Sequence, residues 1–388
     1  MRERYDAIVL GLGGIGSGAA YWLARRGARV LGLEQFELGH ARGESHDHSR
    51  IIRLSYHTPN YVELAKRAYE SWAMVELDSG ERIVYKTGGL DLGPRGGAIS
   101  LDGYADAMRA SGVEFETLDA TEIRRRFPAF AIDDDVWGLF QADSGIVAAE
   151  RATASHQRMA QVHGARLLSN VRVERVELSG ADITVHTQDA SYRTSQLIVC
   201  AGPWTNTMLA GANLHLPLEV TKEQAMYFRP ADASAFAFGE FPVWIWMDDP
   251  SFYGFPVFGE AGAVKVTQDA GGKAADPDTR GFEEDPEITA RVRRFLHAHL
   301  PALDSPPQLV KTCLYTLTPD RDFVIDTVPG TKNVHVAIGA GHAFKFASVI
   351  GRILTELALD GTTQSDISDF TLARPILSMA EPPKTYMV

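Results

Sequence analysis

The stretch DAIVLGLGGIG, residues 6–16, passes from a short apolar segment directly into three glycines spaced as Gly-x-Gly-x-x-Gly. The apolar residues 6–10 predict a buried strand, and the small residues 14–26 predict a helix that ends at Gly27. Residues 29–34 predict a second strand. Strand, turn, helix and strand within about 30 residues indicate a βαβ unit.

The three glycines each meet a separate steric need of a dinucleotide site. Gly11 permits the tight turn, Gly13 lets the backbone approach a pyrophosphate, and Gly16 lets helix and strand pack closely. The pyrophosphate would lie at the positive end of the helix. Glu34 ends the second strand, 18 residues after Gly16, where a carboxylate accepts hydrogen bonds from ribose hydroxyls. We therefore expect a dinucleotide without a 2′-phosphate; the alternative is a glycine-rich turn in an unrelated α/β domain.

The composition limits the classes of partner. The chain has 388 residues, enough for two domains, and its formal net charge is −12 at pH 7. Nucleic acids and anionic membranes favour basic surfaces, so we expect neither as a partner. The N-terminus lacks the apolar core of a signal peptide, and no stretch reaches about 18 uninterrupted apolar residues. Two cysteines, Cys200 and Cys313, suit a reducing compartment, so we expect a cytoplasmic enzyme.

Two kinds of pattern organise the rest of the chain. Apolar spacing predicts helices at residues 60–77, 151–164, 290–300 and 346–359. Short alternating segments between residues 219 and 269 indicate an antiparallel sheet. A strand, a glycine-rich turn and a helix recur at residues 334–359. One dinucleotide held from both ends of the chain is typical of FAD enzymes.

Several motifs along the chain resemble one family. They are residues 46–53 (HDHSRIIR), 199–204 (VCAGPW), 313–316 (CLYT), 319–320 (PD), 323–326 (FVID) and 341–346 (GHAFKF). In their order and spacing they resemble the monomeric sarcosine oxidase family, which also contains N-methyltryptophan oxidase and pipecolate oxidase. The likeness covers roughly residues 5–375. Two positions depart from the family pattern: Ala343 stands where a glycine is usual, and Asp269 stands where sarcosine oxidase has a histidine.

The resemblance implies an α/β fold in which a Rossmann-like FAD-binding domain is interleaved with an antiparallel-sheet substrate domain. Residues 1–86, 146–218 and 310–388 would form the FAD-binding domain. Residues 87–145 and 219–309 would form the substrate domain. It also implies a monomer whose partners are a small amine and oxygen.

Cys313 lies in the segment that resembles the site of covalent FAD attachment. Its thiolate would attack the 8α-carbon of the flavin to give an 8α-S-cysteinyl link, which would raise the flavin's potential. Composition alone favours an inert buried cysteine, and Cys200 keeps that interpretation.

Lys265 stands between Val264 and Val266. In a strand the two valines face one way, and Lys265 faces the other way together with Thr267 and Asp269. The resemblance implies that Lys265 activates oxygen by stabilising developing negative charge beside the flavin. The alternative is a solvated lysine on an open sheet face.

Two further cations are candidates for the substrate carboxylate. Arg53 offers a planar fork and Lys345 a point charge, and the resemblance places both in the substrate pocket. Surface salt bridges are the alternative for each. Arg50 and His46 resemble residues that pack near the flavin ring. Tyr315 would line the pocket, or pack in a core.

Three residues carry open alternatives. His342 could act as a general base, although oxidation of a neutral amine needs little assistance from a base. It could instead be a turn residue that contacts the flavin or the substrate. Trp244 could form a wall of the pocket, but tryptophans in a strand are more often core. Asp269 could bind a cationic substrate tail or pair with a nearby lysine.

The set of residues expected to hold the cofactor combines the fingerprint with the resemblance. It comprises Gly11, Gly13, Gly14, Ile15, Gly16, Glu34, Gln35, Arg42, Ser45, Ser49, Val173, Cys313, Gly341 and Lys345. We expect no metal site, because His46 and His48 have no third ligand at a conventional spacing.

The expected activity is oxidation of a secondary or N-methylated amino acid by oxygen, giving an imine and hydrogen peroxide. The alternatives are an FAD-dependent dehydrogenase with another electron acceptor, a different substrate such as a cyclic imino acid, and an NAD-dependent dehydrogenase that uses only the fingerprint. A flavin-bearing module without turnover is a further alternative.

Overall fold

The computed structural model describes residues 4–180 and 182–383. Within these ranges eight α-helices are present: α1 (Gly14–Arg25), α2 (Pro59–Ser79), α3 (Asp102–Ala110), α4 (Ala120–Arg126), α5 (Ala149–Val162), α6 (Thr205–Leu209), α7 (Pro286–His299) and α8 (Ala347–Asp360). The helices predicted from apolar spacing are confirmed as α2, α5, α7 and α8, with ends that differ by a few residues.

The described residues also form twenty strands. They are β1 (Arg4–Leu10), β2 (Val30–Leu33), β3 (Ser49–Ile52), β4 (Val84–Lys86), β5 (Gly89–Pro94), β6 (Glu116–Asp119), β7 (Val136–Gln141), β8 (Gly145–Ala148), β9 (Arg166–Leu168), β10 (Val173–Ser179), β11 (Asp182–Thr187), β12 (Ser191–Val199), β13 (Glu219–Phe228), β14 (Val243–Trp246), β15 (Phe252–Gly254), β16 (Val264–Gln268), β17 (Lys273–Ala274), β18 (Leu309–Leu317), β19 (Val324–Thr327) and β20 (Val334–Ile338).

The first sheet has eight strands in the order β10-β11-β12-β1-β2-β9, with β20 beside β12 and β19 beside β20. Strand β1 lies between β2 and β12 and is parallel to both. Its last four residues are buried, as a parallel strand covered on both faces requires. The predicted βαβ unit is therefore confirmed, with α1 as its helix.

Helix α1 is the centre of the helical layer on this sheet. It packs against α5 on one side and α8 on the other, and most of its residues are buried. The contact with α8 is close because two glycines meet there: a Cβ on Gly351 would overlap the backbone of Gly18. The C-terminal helix is thereby fixed to the N-terminal one.

The second sheet has nine strands in the order β17-β13-β16-β15-β14-β5-β7-β6, with β18 on the other side of β13. Its pairs are antiparallel except β5 with β14, which are parallel. One face packs on a core that includes α7, where Trp244 stacks on Phe295 at a ring separation of 5.7 Å. Strand β18, which our division of the sequence places with the cofactor domain, pairs along its length with β13.

A small third sheet consists of β3, β8 and β4 and carries residues 49–52. Within the described ranges, no helix is both long enough and apolar enough to cross a membrane.

Candidate active site

A cavity of about 410 Å³ opens at the carboxyl ends of β1 and β2, where the glycine-rich turn leads into α1. Ligands of open α/β sheets bind at this edge. Eight predicted cofactor residues line it: Gly11, Gly13, Gly14, Ile15, Glu34, Gln35, Ser45 and Val173. The fold therefore brings together residues that lie far apart in sequence.

The turn itself leaves no room for side chains. Gly11 has a φ of +83°, and a Cβ on it would overlap the carbonyl oxygen of Cys200. The amide of Gly14 at the start of α1 donates to Ser45 Oγ at 2.8 Å, and the residue before the helix supplies no side-chain cap. Gly13, Gly14 and Ile15 line the cavity, so the N-terminus of α1 faces it, which suits a phosphate.

Glu34 is held at the rim of the same cavity by main-chain donors. Its Oε2 accepts from the amide of Leu12 at 2.9 Å, and its Oε1 accepts from the amide of Phe36 at 3.2 Å. The carboxylate is therefore fixed at the end of β2. Turn, helix end and acid together fit a dinucleotide.

Six predicted cofactor residues do not line this cavity: Cys313, Gly341 and Lys345 line two neighbouring cavities, and the other three lie elsewhere. Gly16 lies behind the turn, where a Cβ would overlap the carbonyl of Gly11. Arg42 is exposed, with its guanidinium 5.0 Å from the ring centre of Phe36. Ser49 is buried in β3, and its carbonyl oxygen accepts from Lys265.

A second cavity of about 130 Å³ adjoins the first and shares part of its wall: Gly14, Ile15, Glu44, Ser45 and Gly339. Aliphatic and tyrosine side chains form much of the rest: Ile51, Ile99, Tyr104, Ile245, Met247, Tyr253 and Tyr315. The predicted residues Arg50, Arg53, Asp269, Gly341, His342 and Lys345 also line it. An apolar space with a few charged groups suits a small organic ligand.

Lys345 is the cation of this cavity without a carboxylate partner. It is 9% exposed, and no Asp or Glu oxygen in the described ranges lies within 4.0 Å of its Nζ. Burial, reinforced by the nearby Arg53, lowers the pKa of Lys345 to about 7. An anionic ligand would stabilise the charged form of this buried lysine.

Arg53, in contrast, already has an internal partner. Its Nη1 lies 3.1 Å from Oδ2 of Asp91, which Ser55 also contacts. Burial alone would lower the pKa of Arg53, but the charge of Asp91 outweighs it and the net shift is upward. Asp91 was missed in the sequence, although a lone acid in the apolar strand β5 is a signal that could have found it.

Asp269 pairs with Arg321 rather than with a lysine. The distance from Arg321 Nη1 to Asp269 Oδ2 is 2.9 Å, and Arg321 is 5% exposed. The backbone of Arg321 has a φ of +62°, and its carbonyl lies 2.8 Å from Nε2 of His342. Asp269 therefore stands in the wall of the cavity as half of a buried ion pair.

His342 is neutral in this setting. Burial, followed by the charges of Lys345 and Arg321, holds its pKa well below the usual range. Because Nε2 faces the carbonyl of Arg321, that nitrogen carries the proton, and Nδ1 is buried with no hydrogen-bond partner among the described residues. The ring also lies against Phe323, with ring centres 4.5 Å apart.

A third, smaller cavity shares wall residues with the first two and is lined by Cys313. His46, Arg50, Lys265 and Tyr315 line it together with Cys313. Burial raises the pKa of the Cys313 thiol to about 11, and Arg50 opposes that rise. The predicted covalent anchor and the predicted oxygen-activating lysine therefore share one small polar space.

Lys265 is 3% exposed and projects from β16 away from its neighbouring valines, as the alternation predicts. Its Nζ lies 2.5 Å from Oδ2 of Asp47 and donates to the carbonyl of Ser49 at 3.0 Å. Burial lowers the pKa of Lys265, and Asp47 opposes the shift. Asp47 was also missed in the sequence.

Arg50 is held by main-chain oxygens. Its guanidinium donates to the carbonyls of Glu44, His46 and Ser49 at 2.8–2.9 Å. Burial and the charge of Arg50 lower the pKa of His46 to about 3, so His46 is neutral.

The expectation that Trp244 walls the substrate pocket is wrong. Its side chain is fully buried in the core beneath the second sheet, and Ile245 of the same strand reaches the cavity instead. The alternation of β14 turns the two tryptophans to one face and the isoleucine to the other.

The fold and the joined cavities define a dinucleotide-dependent oxidoreductase with an adjoining small-molecule site. The family of FAD-dependent oxidoreductases matches residues 6–357, and the chain belongs to it. The chain is 33% identical over 387 residues to a monomeric sarcosine oxidase of Arthrobacter sp. (strain TE1826), covering 98% of this chain and 99% of the relative. It is 31% identical to an N-methyl-L-tryptophan oxidase of Salmonella heidelberg (strain SL476), with 96% and 99% covered.

Among solved structures the chain is similar to NikD, described as an unusual amino acid oxidase essential for nikkomycin biosynthesis. The TM-score is 0.84 at 28% sequence identity, and the match covers 100% of this chain and 99% of the other. The cofactor is therefore FAD, and the NAD-dependent alternative is set aside.

We predict that Asp91→Asn destabilises the protein by about 3 kcal/mol or more, because it leaves the charge of Arg53 buried without its carboxylate. Urea unfolding at neutral pH measures the change. Asp360→Asn is the matched control: it removes an acid from the exposed pair with Arg26 and should have little effect. Equal effects of the two substitutions would contradict a structural role for the buried pair.

Proposed function

We propose that the protein oxidises the CH–NH bond of a small secondary or N-methylated amino acid, with FAD as the electron acceptor. One observation carries the proposal: Lys345, a buried lysine without an acid partner among the described residues, lies in a cavity that shares part of its wall with the dinucleotide cavity. The names of the sarcosine and N-methyl-L-tryptophan oxidases to which the chain is similar support the same substrate class.

Lys345 would bind the substrate carboxylate. Its ammonium is buried, and burial strengthens each charge-assisted hydrogen bond that it makes. Arg53, already paired with Asp91, would support one edge of the carboxylate rather than carry its full charge. The aliphatic wall formed by Ile245 and Met247 would take the apolar part of the amino acid.

The neighbouring cations would also favour the neutral form of the substrate amine. Cationic side chains raise the free energy of the protonated substrate amine, so the amine loses its proton more easily. When bound, FAD accepts the hydride that leaves the carbon attached to nitrogen. The imine then hydrolyses to an aldehyde and an amine. His342, whose Nε2 proton points at a carbonyl, would contact the ligand without serving as the base.

Oxygen is the proposed final acceptor. It would take two electrons from the reduced cofactor and two protons to give hydrogen peroxide, and the Lys265 ammonium would stabilise the negative charge that develops on it. An electron acceptor other than oxygen would not need a buried ammonium in the cavity of Cys313. The position of Lys265 therefore favours an oxidase.

We also propose that FAD is attached through Cys313 and that the enzyme is a cytoplasmic monomer. The cavity beside Cys313 contains Arg50 and Lys265, whose charges favour the thiolate that such a link requires. The use of only two cysteines supports a reducing compartment.

The two half-reactions test the proposed role of Lys265. Lys265→Met should slow reoxidation of the reduced enzyme by oxygen by about 10², the scale of losing one preorganised electrostatic contact. Anaerobic reduction of the flavin by a panel of secondary amino acids should change far less. Stopped-flow absorbance follows both steps. Equal losses in the two steps would indicate a distorted cavity, and an undiminished reoxidation rate would remove Lys265 from the reaction.

Acid precipitation tests the proposed link. The precipitated wild-type protein should stay yellow, and Cys313→Ser should release the flavin into the supernatant. Cys200→Ser is the control, because burial raises the pKa of that thiol strongly and it lies in the dinucleotide cavity. A white wild-type precipitate would show that FAD is held without a bond.

The pKa of Lys345 predicts how anion binding depends on pH. A lysine is charged below its pKa, so the affinity for methoxyacetate, an analogue without a titrating amine, should fall as the pH rises above about 7. The flavin spectrum reports binding between about pH 6 and pH 9. Lys345→Arg should remove the dependence because arginine stays charged, and Lys345→Met should weaken binding throughout. A flat wild-type profile would contradict the assignment.

A further inference from the structure

Asp47 occupies an unusual position between the cofactor cavity and the second sheet. Its φ is +87°, a left-handed conformation that glycine adopts freely and that aspartate and asparagine adopt more readily than most residues. Its side chain is only 3% exposed. A buried acid in such a conformation is kept there by its contacts, and these contacts indicate its role.

Both carboxylate oxygens of Asp47 have partners. Oδ1 accepts from the hydroxyl of Tyr227 at 2.5 Å and from Lys311 Nζ at 3.0 Å. Oδ2 lies 2.5 Å from Lys265 Nζ and 3.9 Å from Nη1 of Arg50. Burial would raise the pKa of Asp47, but Lys265 and Arg50 hold it well below the usual range. The carboxylate is therefore ionised over the working pH range.

Lys265 depends on this one acid. Within the described residues its remaining polar contact is the carbonyl of Ser49, and its Nζ lies 5.0 Å from the ring centre of Phe255. Arg50 faces it as a second cation, and the titratable thiol of Cys313 also lies nearby. Glu223, whose pKa burial raises to about 7, lines the same cavity. Burial and Arg50 both disfavour the ammonium form, whereas Asp47 favours it.

We propose that Asp47 is a positioning residue for oxygen reduction, which holds the Lys265 ammonium beside the Cys313 cavity and keeps it charged. The inference rests on the proposed function, in which Lys265 acts on oxygen. The carboxylate does not cancel the field at that cavity, because the cations Arg50, Lys265 and Lys311 outnumber the acids Asp47 and Glu223 in its wall. Burial also raises the pKa of Glu223 to about 7, so the net charge stays positive. Asp47 thus holds Lys265 in place, while Arg50 and Lys311 keep the electrostatic potential of the cavity positive.

The test is the pH profile of reoxidation in Asp47→Asn, a substitution that suits the left-handed backbone and removes only the charge. Stopped-flow measurements on anaerobically reduced holoenzyme between about pH 6 and pH 9 give the profile. The wild-type rate should vary far less with pH than that of the variant, because Glu223 and Lys345, whose pKa values are both about 7, titrate in both proteins. The variant should approach the wild-type rate at low pH and fall by about 10² toward that of Lys265→Met as the pH rises and Lys265 loses its proton.

Two further proteins make the test specific. Tyr227→Phe removes another partner of Asp47 but keeps the carboxylate, so its profile should match that of the wild type. The double variant Asp47→Asn/Lys265→Met should reoxidise at the rate of Lys265→Met alone, because the acid acts through the lysine. A further loss in the double variant would show that Asp47 acts independently and would overturn the inference.

Thermal unfolding of the wild type, the two single variants and the double variant gives a readout apart from turnover. If the ion pair holds Lys265, the shifts in Tm should be non-additive. A lowered Tm with a wild-type pH profile in Asp47→Asn would show that Asp47 has only a structural role. That result would overturn this inference but leave the oxidase proposal intact. A wild-type enzyme that amines reduce but oxygen fails to reoxidise would overturn the oxidase proposal and this inference together.

Discussion

The cost of holding cations away from water organises this active site. Arg53, Lys265 and Arg321 are each at least 95% buried by exposed fraction, and each lies within 3.1 Å of a carboxylate oxygen. Breaking such a pair leaves an uncompensated charge, which costs several kcal/mol. Lys345 differs because it has no acid partner in the described chain, and its pKa falls accordingly. The three pairs hold their cations in place, and in the proposed function the fourth cation, Lys345, binds the substrate carboxylate.

Strand alternation places Lys265 and Ile245 in the cavity walls. In β16 the valines pack on the core while Lys265 faces the cavity, and in β14 the tryptophans pack on the core while Ile245 faces the cavity. Each strand therefore stabilises the core beneath the second sheet with one face and builds the site with the other. Substitutions on the core face should affect stability before they affect chemistry.

The same geometry explains how far the sequence could be interpreted. Local spacing predicts the glycine fingerprint and the helices. It also predicts that Lys265 faces away from Val264 and Val266. Alternation defines two faces of β14 but not which face meets the cleft, so Trp244 was misplaced. The partner of Lys265 is 218 residues away in the chain, and its φ of +87° leaves no mark in a single sequence. Ion pairs between distant segments depend on the tertiary fold, and local patterns do not contain them.

The protonation states in the cleft follow from the same electrostatics. His46 and His342 are both neutral because burial and nearby cations lower their pKa values. Since neither ring is a cation, the positive charge in the cleft comes from side chains whose positions are fixed by acids or main-chain oxygens, with Lys345 as the exception. A ligand carboxylate at Lys345 would stabilise the ammonium and raise its pKa, so anion binding and lysine protonation are coupled. An amino acid would thereby supply the charge that the cavity lacks, while the surrounding cations would favour release of the proton from its amine.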